Sequence, residues 1–138
     1  MTEESGLVDY MRVRMQVWPD TPSEYGDRLA DQLREDLDGI GLCIAYIADT
    51  PVGSARSSFR RGSWFSSLCG GGVLEEYRGR GVYHHMVAHR ARGAAARGVP
   101  WLQVDALPTS RPILERLGFA AITTTRPCLW PWSKGLLP

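Results

Sequence analysis

Apolar positions recur along the chain with two periods. From Ser5 to Trp18, Leu7, Val8, Met11, Val13, Met15 and Trp18 alternate with Arg and Asp, which suits an amphipathic helix better than a strand. Pro19 and Pro22 end it. Leu29, Leu33 and Leu37 then recur every four residues among charges, predicting a second helix over 27–37 that Asp38-Gly39 closes. Beyond it the pattern changes. Leu42 to Ala48 is apolar and partly β-branched, Asp49-Thr50-Pro51 reads as a turn, and Val52 to Phe59 resumes with small alternating residues, an antiparallel hairpin. A third strand is expected from Trp64 through Leu68 to Leu74, interrupted at Gly70-Gly71-Gly72, where missing side chains permit a bulge and the close approach of a ligand.

The helical period returns at Gly81 to Arg97. It places Tyr83, Val87, Ala91, Ala94 and Ala95 on one face and His85, His89 and Arg92 on another, ended by Gly98 and Pro100. Trp101 to Leu107 reads as a strand. Thr109 is a plausible N-cap with Pro112 in the first turn, so Ser110 to Leu117 forms a short helix closed by Gly118, and Ala120 to Trp130 is extended. Two helices, three antiparallel strands, then helix, strand, helix and strand make an α/β (α+β) three-layer arrangement.

Length and composition agree with one folded domain over residues 1–138. Folding should remove roughly 15,000 Å² from water, enough for a core without a metal or disulfide staple. Hydrophobic residues make up 43% and charged residues 22%, far from the disordered corner of composition. No apolar run approaches the roughly 20 residues that cross a bilayer, and the acidic start Met1-Thr2-Glu3-Glu4-Ser5 does not resemble a secretory leader. A cytoplasmic protein with no membrane partner is the expectation. Cys43, Cys69 and Cys128 form no C-x-x-C pair, so reduced, buried thiols are expected rather than a disulfide framework or zinc ribbon.

Net charge is +1, but residues 1–40 carry 10 Asp/Glu against 4 Arg while residues 56–97 carry 8 Arg against 2 Glu. A basic block suits nucleic acid, a membrane surface or a phosphorylated small molecule, and composition alone does not choose among them. Its centre is Val73-Leu74-Glu75-Glu76-Tyr77-Arg78-Gly79-Arg80-Gly81-Val82-Tyr83, a strand passing through a glycine-spaced turn into a long helix. Such a turn aims backbone N–H groups at an anion on the helix N-terminus, with Arg78 and Arg80 adding charge; by itself it equally suits a turn that uses Gly only for tight geometry. The spacing fits neither G-x-x-x-x-G-K-[ST] nor G-x-G-x-x-G.

The segment resembles the R-x-x-G-x-[G/A] signature of the GNAT superfamily of acyl-CoA-dependent N-acetyltransferases, through Arg78, Gly81 and, at the last position, Tyr83 in place of a small residue. Pro112-Ile113-Leu114-Glu115-Arg116-Leu117-Gly118-Phe119 is similar to that family's short helix ending in L-G-F, and the resemblance covers roughly residues 41–130. It implies a GNAT-like mixed sheet with helices on both faces, with strands Leu68 to Leu74 and Trp101 to Leu107 splayed around an acyl-CoA cleft. Val73 would lie on the strand that pairs with pantetheine, and the N–H groups of Arg78, Gly79, Arg80, Gly81, Val82 and Tyr83 would hold the pyrophosphate. Coenzyme A phosphates then account for the basic block, and nucleic acid becomes unnecessary. Two departures stand out. Leu114 occupies the place where family members often carry a Tyr that protonates the thiolate, and the family's first strand is missing or truncated, supplied by a partner or by residues outside this sequence.

Amine attack on a thioester needs a base or a water relay. Asp105 is the best base candidate, or else a structural Asp at a strand end; Ser110 either donates to the sulfur or a water or simply caps its helix. Cys69 offers a thiol for acetyl transfer but suits an apolar filler better, and His84 faces either a phosphate or solvent. His85 and His89, at i and i+4, lack a third ligand, so no metal is expected. Trp130-Pro131-Trp132 either packs against the last strand or covers an edge or homodimer contact. The expectation is an acetyl-CoA-dependent N-acetyltransferase acting on a primary amine of a small molecule or peptide by direct attack in a ternary complex. The alternatives are an acyl-CoA-binding regulatory or catalytically degenerate module and, third, a nucleic-acid-binding module. In such folds the acceptor site is built from variable loops and the N-terminal helices.

Overall fold

A computed structural model describes residues 4–129. The chain forms two compact units, Met1–Asp105 and Ala106–Pro138. In the first, α1 (Glu4–Val17) and α2 (Tyr25–Glu35) precede β1 (Ile40–Ile47), β2 (Thr50–Phe59) and β3 (Phe65–Val73); a 3-10 turn (Glu75–Tyr77), α3 (Val82–Ala96) and β4 (Trp101–Val104) follow. The second contains α4 (Arg111–Arg116).

The sheet order is β1-β2-β3-β4, antiparallel between the first three strands and parallel between β3 and β4. Among the described residues no strand precedes α1, and β1 is an edge of the sheet. The two long helices cover opposite faces. A Cβ on Gly70 or Gly72 would strike Arg14 or Val17 of α1, whereas one on Gly71 or Gly53 would meet Tyr83, Arg90, Val82 or Met86 of α3. The α3 side packs Cys43, Ala55, Val73 and Met86, joined by Ala45, Tyr77, Val82 and Tyr83. The α1 side buries Tyr10 and Val13, and α2 buries Leu29.

Several elements differ from the periodic expectation. In α1, Val8 and Met15 are exposed, because the helix turns Tyr10, Val13 and Val17 to the sheet and Met11 to Gly26 of α2, which leaves Val8 and Met15 on the outer side. Leu37 lies beyond the end of α2 and is exposed. In α3 the buried positions are Met86, Val87, Arg90 and Ala94, while Ala95 is exposed. The hairpin turn is the two-residue step Ala48-Asp49, with Ile47 paired to Thr50 and Ala48 at φ 51°. The strand expected over 101–107 ends at Val104. Ser110, not Thr109, is the N-cap of α4, with Pro112 in its first turn. Described residues 120–129 form no strand and lie exposed, so the expected final strand is not seen there. Trp130-Pro131-Trp132 falls outside the described residues.

Candidate active site

Strand β3 sets up the site by outrunning its neighbour. Parallel pairing with β4 ends at Leu68↔Val104, and Cys69 to Val73 continue with only β2 alongside. There β3 carries an extra residue: Arg56 pairs with Cys69 and Ser54 with Gly72, so Gly70 and Gly71 together oppose Ala55. Gly70 makes this bulge with φ 53°, a backbone state that side-chain-bearing residues seldom adopt. The bulge leaves ladder groups unmatched at the point where the sheet splits.

The chain then tightens into the 3-10 turn and a loop. Arg78 Nε donates to the Val73 carbonyl at 3.0 Å, folding the loop back on the strand end. The Arg80 guanidinium lies 5.3 Å from the Tyr77 ring centroid. Gly81 is the N-cap of α3 at φ 79°, and the first backbone bond into the helix is His85 N–H to Gly81 C=O at 3.1 Å. The N–H groups of Val82, Tyr83 and His84 therefore emerge from the helix start, at the positive end of its dipole. Nothing lies within 4 Å of the place a Gly79 Cβ would occupy, and only the His85 ring, 3.7 Å away, approaches that of Gly81. The loop thus combines outward N–H groups, open space and two exposed arginines, a combination that fits a pyrophosphate.

Other candidates separate by surroundings. Val73 is buried against Cys43, Ala55 and Met86. The Tyr83 ring lies over Gly71, 3.1 Å from its missing Cβ, so this residue offers the loop its N–H rather than its side chain. Asp105 immediately follows β4, is exposed and is engaged in an interaction of its own. The Ser110 hydroxyl donates to the Leu107 carbonyl at 3.2 Å and makes no cap bond to α4. Leu114 is buried. Gly118 ends α4 with its N–H on Glu115 C=O and that of Phe119 on Leu114 C=O, so the L-G-F step is a helix stop.

His85 Nδ1–H donates to Gly81 C=O at 2.8 Å, and His85 and His89 line a groove between the β1 edge and α3 with Leu42, Cys43, Ala45 and Met86. His84 is exposed. Among the described residues no cluster of three or more His, Cys, Asp or Glu could hold a metal. The three cysteines are free; burial pushes the Cys43 thiol up, with Arg90 opposing, and the Cys69 thiol donates to Ser67 C=O at 3.7 Å.

Arginines reaching the bulge escape the sequence pattern. Arg90 is buried, donates from Nε to Met86 C=O and from an Nη to Arg56 C=O, both at 3.3 Å, and approaches Gly71. Burial pulls its pKa below the usual guanidinium value, while Tyr83, Cys43 and Cys69 oppose the shift. Arg14 reaches Gly70 from the other face. Their charge suggests solvent, and only the glycine gaps at Gly70 and Gly71 admit them.

Residues 8–119 match the model of the acetyltransferase (GNAT) family. The chain belongs to the GNAT acetyltransferase family. The match runs across both compact units. Among solved structures, the aminoglycoside N-acetyltransferase AAC(6')-Iy in complex with CoA is 25% identical, with 94% of this chain and 90% of that one covered at a TM-score of 0.72. The same enzyme with a bisubstrate analog, CoA-S-monomethyl-acetylneamine, gives 23%, 94%, 93% and 0.77. Glucosamine-6-phosphate N-acetyltransferase from Arabidopsis thaliana shares the fold at 12% identity, with 95% and 97% coverage and a TM-score of 0.77. A search of curated protein sequences finds no significant match. Among the described residues, no helix is long and apolar enough to cross a membrane.

Proposed function

We propose that this GNAT protein transfers an acetyl group from acetyl-CoA to a primary amine by direct attack in a ternary complex. The observation that carries this reading is the Arg78–Tyr83 loop, whose N–H groups open from α3 immediately after the β3 segment that outruns β4. In it the N–H groups from Gly79 to Tyr83 hold the pyrophosphate, that of Arg78 being spent on the Glu75 carbonyl; Arg78 and Arg80 add charge, and the edge of β3 at Val73, whose carbonyl accepts from Arg78 Nε, faces pantetheine. Complexes of AAC(6')-Iy with CoA and with a CoA bisubstrate analog support the choice of cofactor. Bound acetyl-CoA supplies the thioester that is attacked.

The residues of this chain then handle charge and protons. An unmatched N–H at the Gly70-Gly71 bulge stabilises negative charge on the carbonyl oxygen. Asp105, or a water it holds, takes one proton from the incoming ammonium, the neutral amine attacks and the N–C bond forms, the C–S bond breaks with its electrons leaving on sulfur, and the second proton passes from the nitrogen to solvent. Leu114 donates no proton, and a thiolate leaves readily near neutral pH without one. The three free cysteines fit a reducing compartment, so we place the protein in the cytoplasm.

The test is coenzyme A release from acetyl-CoA across an amine panel, with Asp105→Asn as comparison. Asp105→Asn should lower kcat about 100-fold or more with the KM for acetyl-CoA unchanged. Full kcat in that variant would make Asp105 structural. Tight acetyl-CoA binding without turnover on any amine would favour a binding module, the reading to which buried Leu114 lends weight.

A further inference from the structure

Among the described residues, the α1 face of the sheet carries positive charge without a counter-charge. Gly53 and Ala55 of β2 point to α3, so strand alternation turns Ser54 and Arg56 to α1. Arg56 is paired with Cys69, the residue before Gly70. Arg14 descends from α1 onto the same spot: one of its Nη atoms lies 2.7 Å from the place of a Gly70 Cβ, and its Cζ is 4.1 Å from the Tyr25 ring centroid. Arg14 therefore reaches the bulge from α1, and Arg56 stands on the same face of the sheet, on β2 across from the residue before the bulge.

Their polar atoms are left over. Arg14 Nε, Arg56 Nε, the Tyr10 hydroxyl and the Ser54 hydroxyl are buried with no hydrogen-bond partner among the described residues. Tyr10 and Ser54 are fully buried. Among the described residues neither arginine has a carboxylate within ion-pair distance; the ion pairs there are Arg12–Asp9, Arg28–Glu24, Arg34–Asp31 and Arg111–Glu115. Asp9, the acid nearest on α1, also accepts a bond from the Tyr46 hydroxyl. An unsatisfied buried donor bears its full desolvation cost, and folded proteins hold few of them. Four on one side of the sheet, beside a left-handed bulge at its split, offer donors to oxygen atoms bearing negative charge.

We infer that the acceptor amine carries an anionic group, a carboxylate or a phosphate, that Arg14 and Arg56 bind, with the Tyr10 and Ser54 hydroxyls donating to it. Planar guanidinium forks match such oxygens. The inference rests on the acetyl-transfer reading, which puts the thioester at the same bulge and leaves the α1 face to the acceptor. Polycationic amines are disfavoured by the same charges, so the similarity in fold to an aminoglycoside N-acetyltransferase does not extend to its acceptor.

Two measurements test it. In turnover with acetyl-CoA, an amine bearing a carboxylate or phosphate should exceed its neutral isostere in kcat/KM by tenfold or more, and an aminoglycoside should fall below both. The two anionic arms tell carboxylate from phosphate. In Arg14→Gln and Arg56→Gln the preference for the anionic amine over the neutral one should shrink toward unity, with Arg14→Lys intermediate. Independently of chemistry, N-acetylglycine and inorganic phosphate, each added to CoA-saturated protein, should show at least one saturable rise in Tm that both Gln variants lose. Should Arg56→Gln fail to fold, Arg14→Gln and Arg14→Lys carry the comparison. Acetyl-CoA that does not bind removes the acetyl-transfer reading. Acetyl-CoA that binds while neither anionic probe does, or a neutral or cationic acceptor that outperforms its anionic counterpart, overturns this inference alone.

Discussion

Arg14 and Gly70 occupy each other's space: a Cβ on Gly70 would sit 2.7 Å from an Arg14 Nη, and the backbone there has φ 53°. The helix can lay its guanidinium on the strand only because β3 has no side chain at that point. Gly70→Ala should therefore cost about 1–2 kcal/mol for the left-handed backbone alone, a fall of several degrees in Tm. It should also displace Arg14 and raise the KM of an anionic acceptor. A Tm equal to the parent's would show that the bulge relaxes without cost.

The other close approaches differ in how the neighbour can yield. A Cβ on Gly72 would lie 2.5 Å from a methyl of Val17, while one on Gly53 would lie 2.6 Å from the Met86 sulfur. Val is stiff at χ1 and Met is flexible. Overpacking of either kind falls in a range of about 1–3 kcal/mol, and Gly72→Ala should stand at its upper end with Gly53→Ala below it. Urea unfolding of both variants checks the order, and a reversed order would contradict this packing of α1.

How much was legible beforehand depends on sequence distance. The Arg78–Tyr83 loop and the L-G-F step at Leu117–Phe119 are local, so glycine spacing and flanking periodicity expose them directly. The hairpin and α3 are legible for the same reason, within a residue or two at their ends. Arg14 and Arg56 are 42 positions apart, and each alone reads as a solvated charge. Their placement on one face depends on the β2–β3 register and on which helix covers which face, neither of which periodicity contains. The strand expected from residue 120 differs: β propensity at Ile122 to Thr125 predicts extended chain, but propensity alone does not set a ladder, and described residues 120–129 form no strand.

Tyr10 couples the α1 face to pH. Burial pushes its phenol pKa well above the usual value, Tyr25 adding to the shift and Arg14 opposing it. A folded-state pKa above the unfolded one, about 10, means that the contribution to stability is complete below pH 10 and declines as pH rises through the folded value. Alkaline unfolding above pH 10 should steepen by about 1.4 kcal/mol per pH unit for this group, and Tyr10→Phe should remove that component. At neutral pH, Tyr10→Phe should be as stable as the parent or more so by about 1 kcal/mol, since it deletes an unpartnered hydroxyl. Equal pH slopes above pH 10 in the two proteins would show that Tyr10 ionises no differently from the unfolded chain.

Calorimetric titration of acetyl-CoA into the parent protein and Gly81→Glu asks whether the Gly79–Gly81 loop at the start of α3 receives the acetyl-CoA pyrophosphate. A side chain and negative charge at Gly81 enter the open space before the helix N-terminus, against a residue held at φ 79°. Saturable binding to the parent, a smaller loss in Arg78→Ala, and no measurable heat from a folded Gly81→Glu protein are expected. Unchanged affinity in folded Gly81→Glu, or no binding to the parent at millimolar acetyl-CoA, would contradict it.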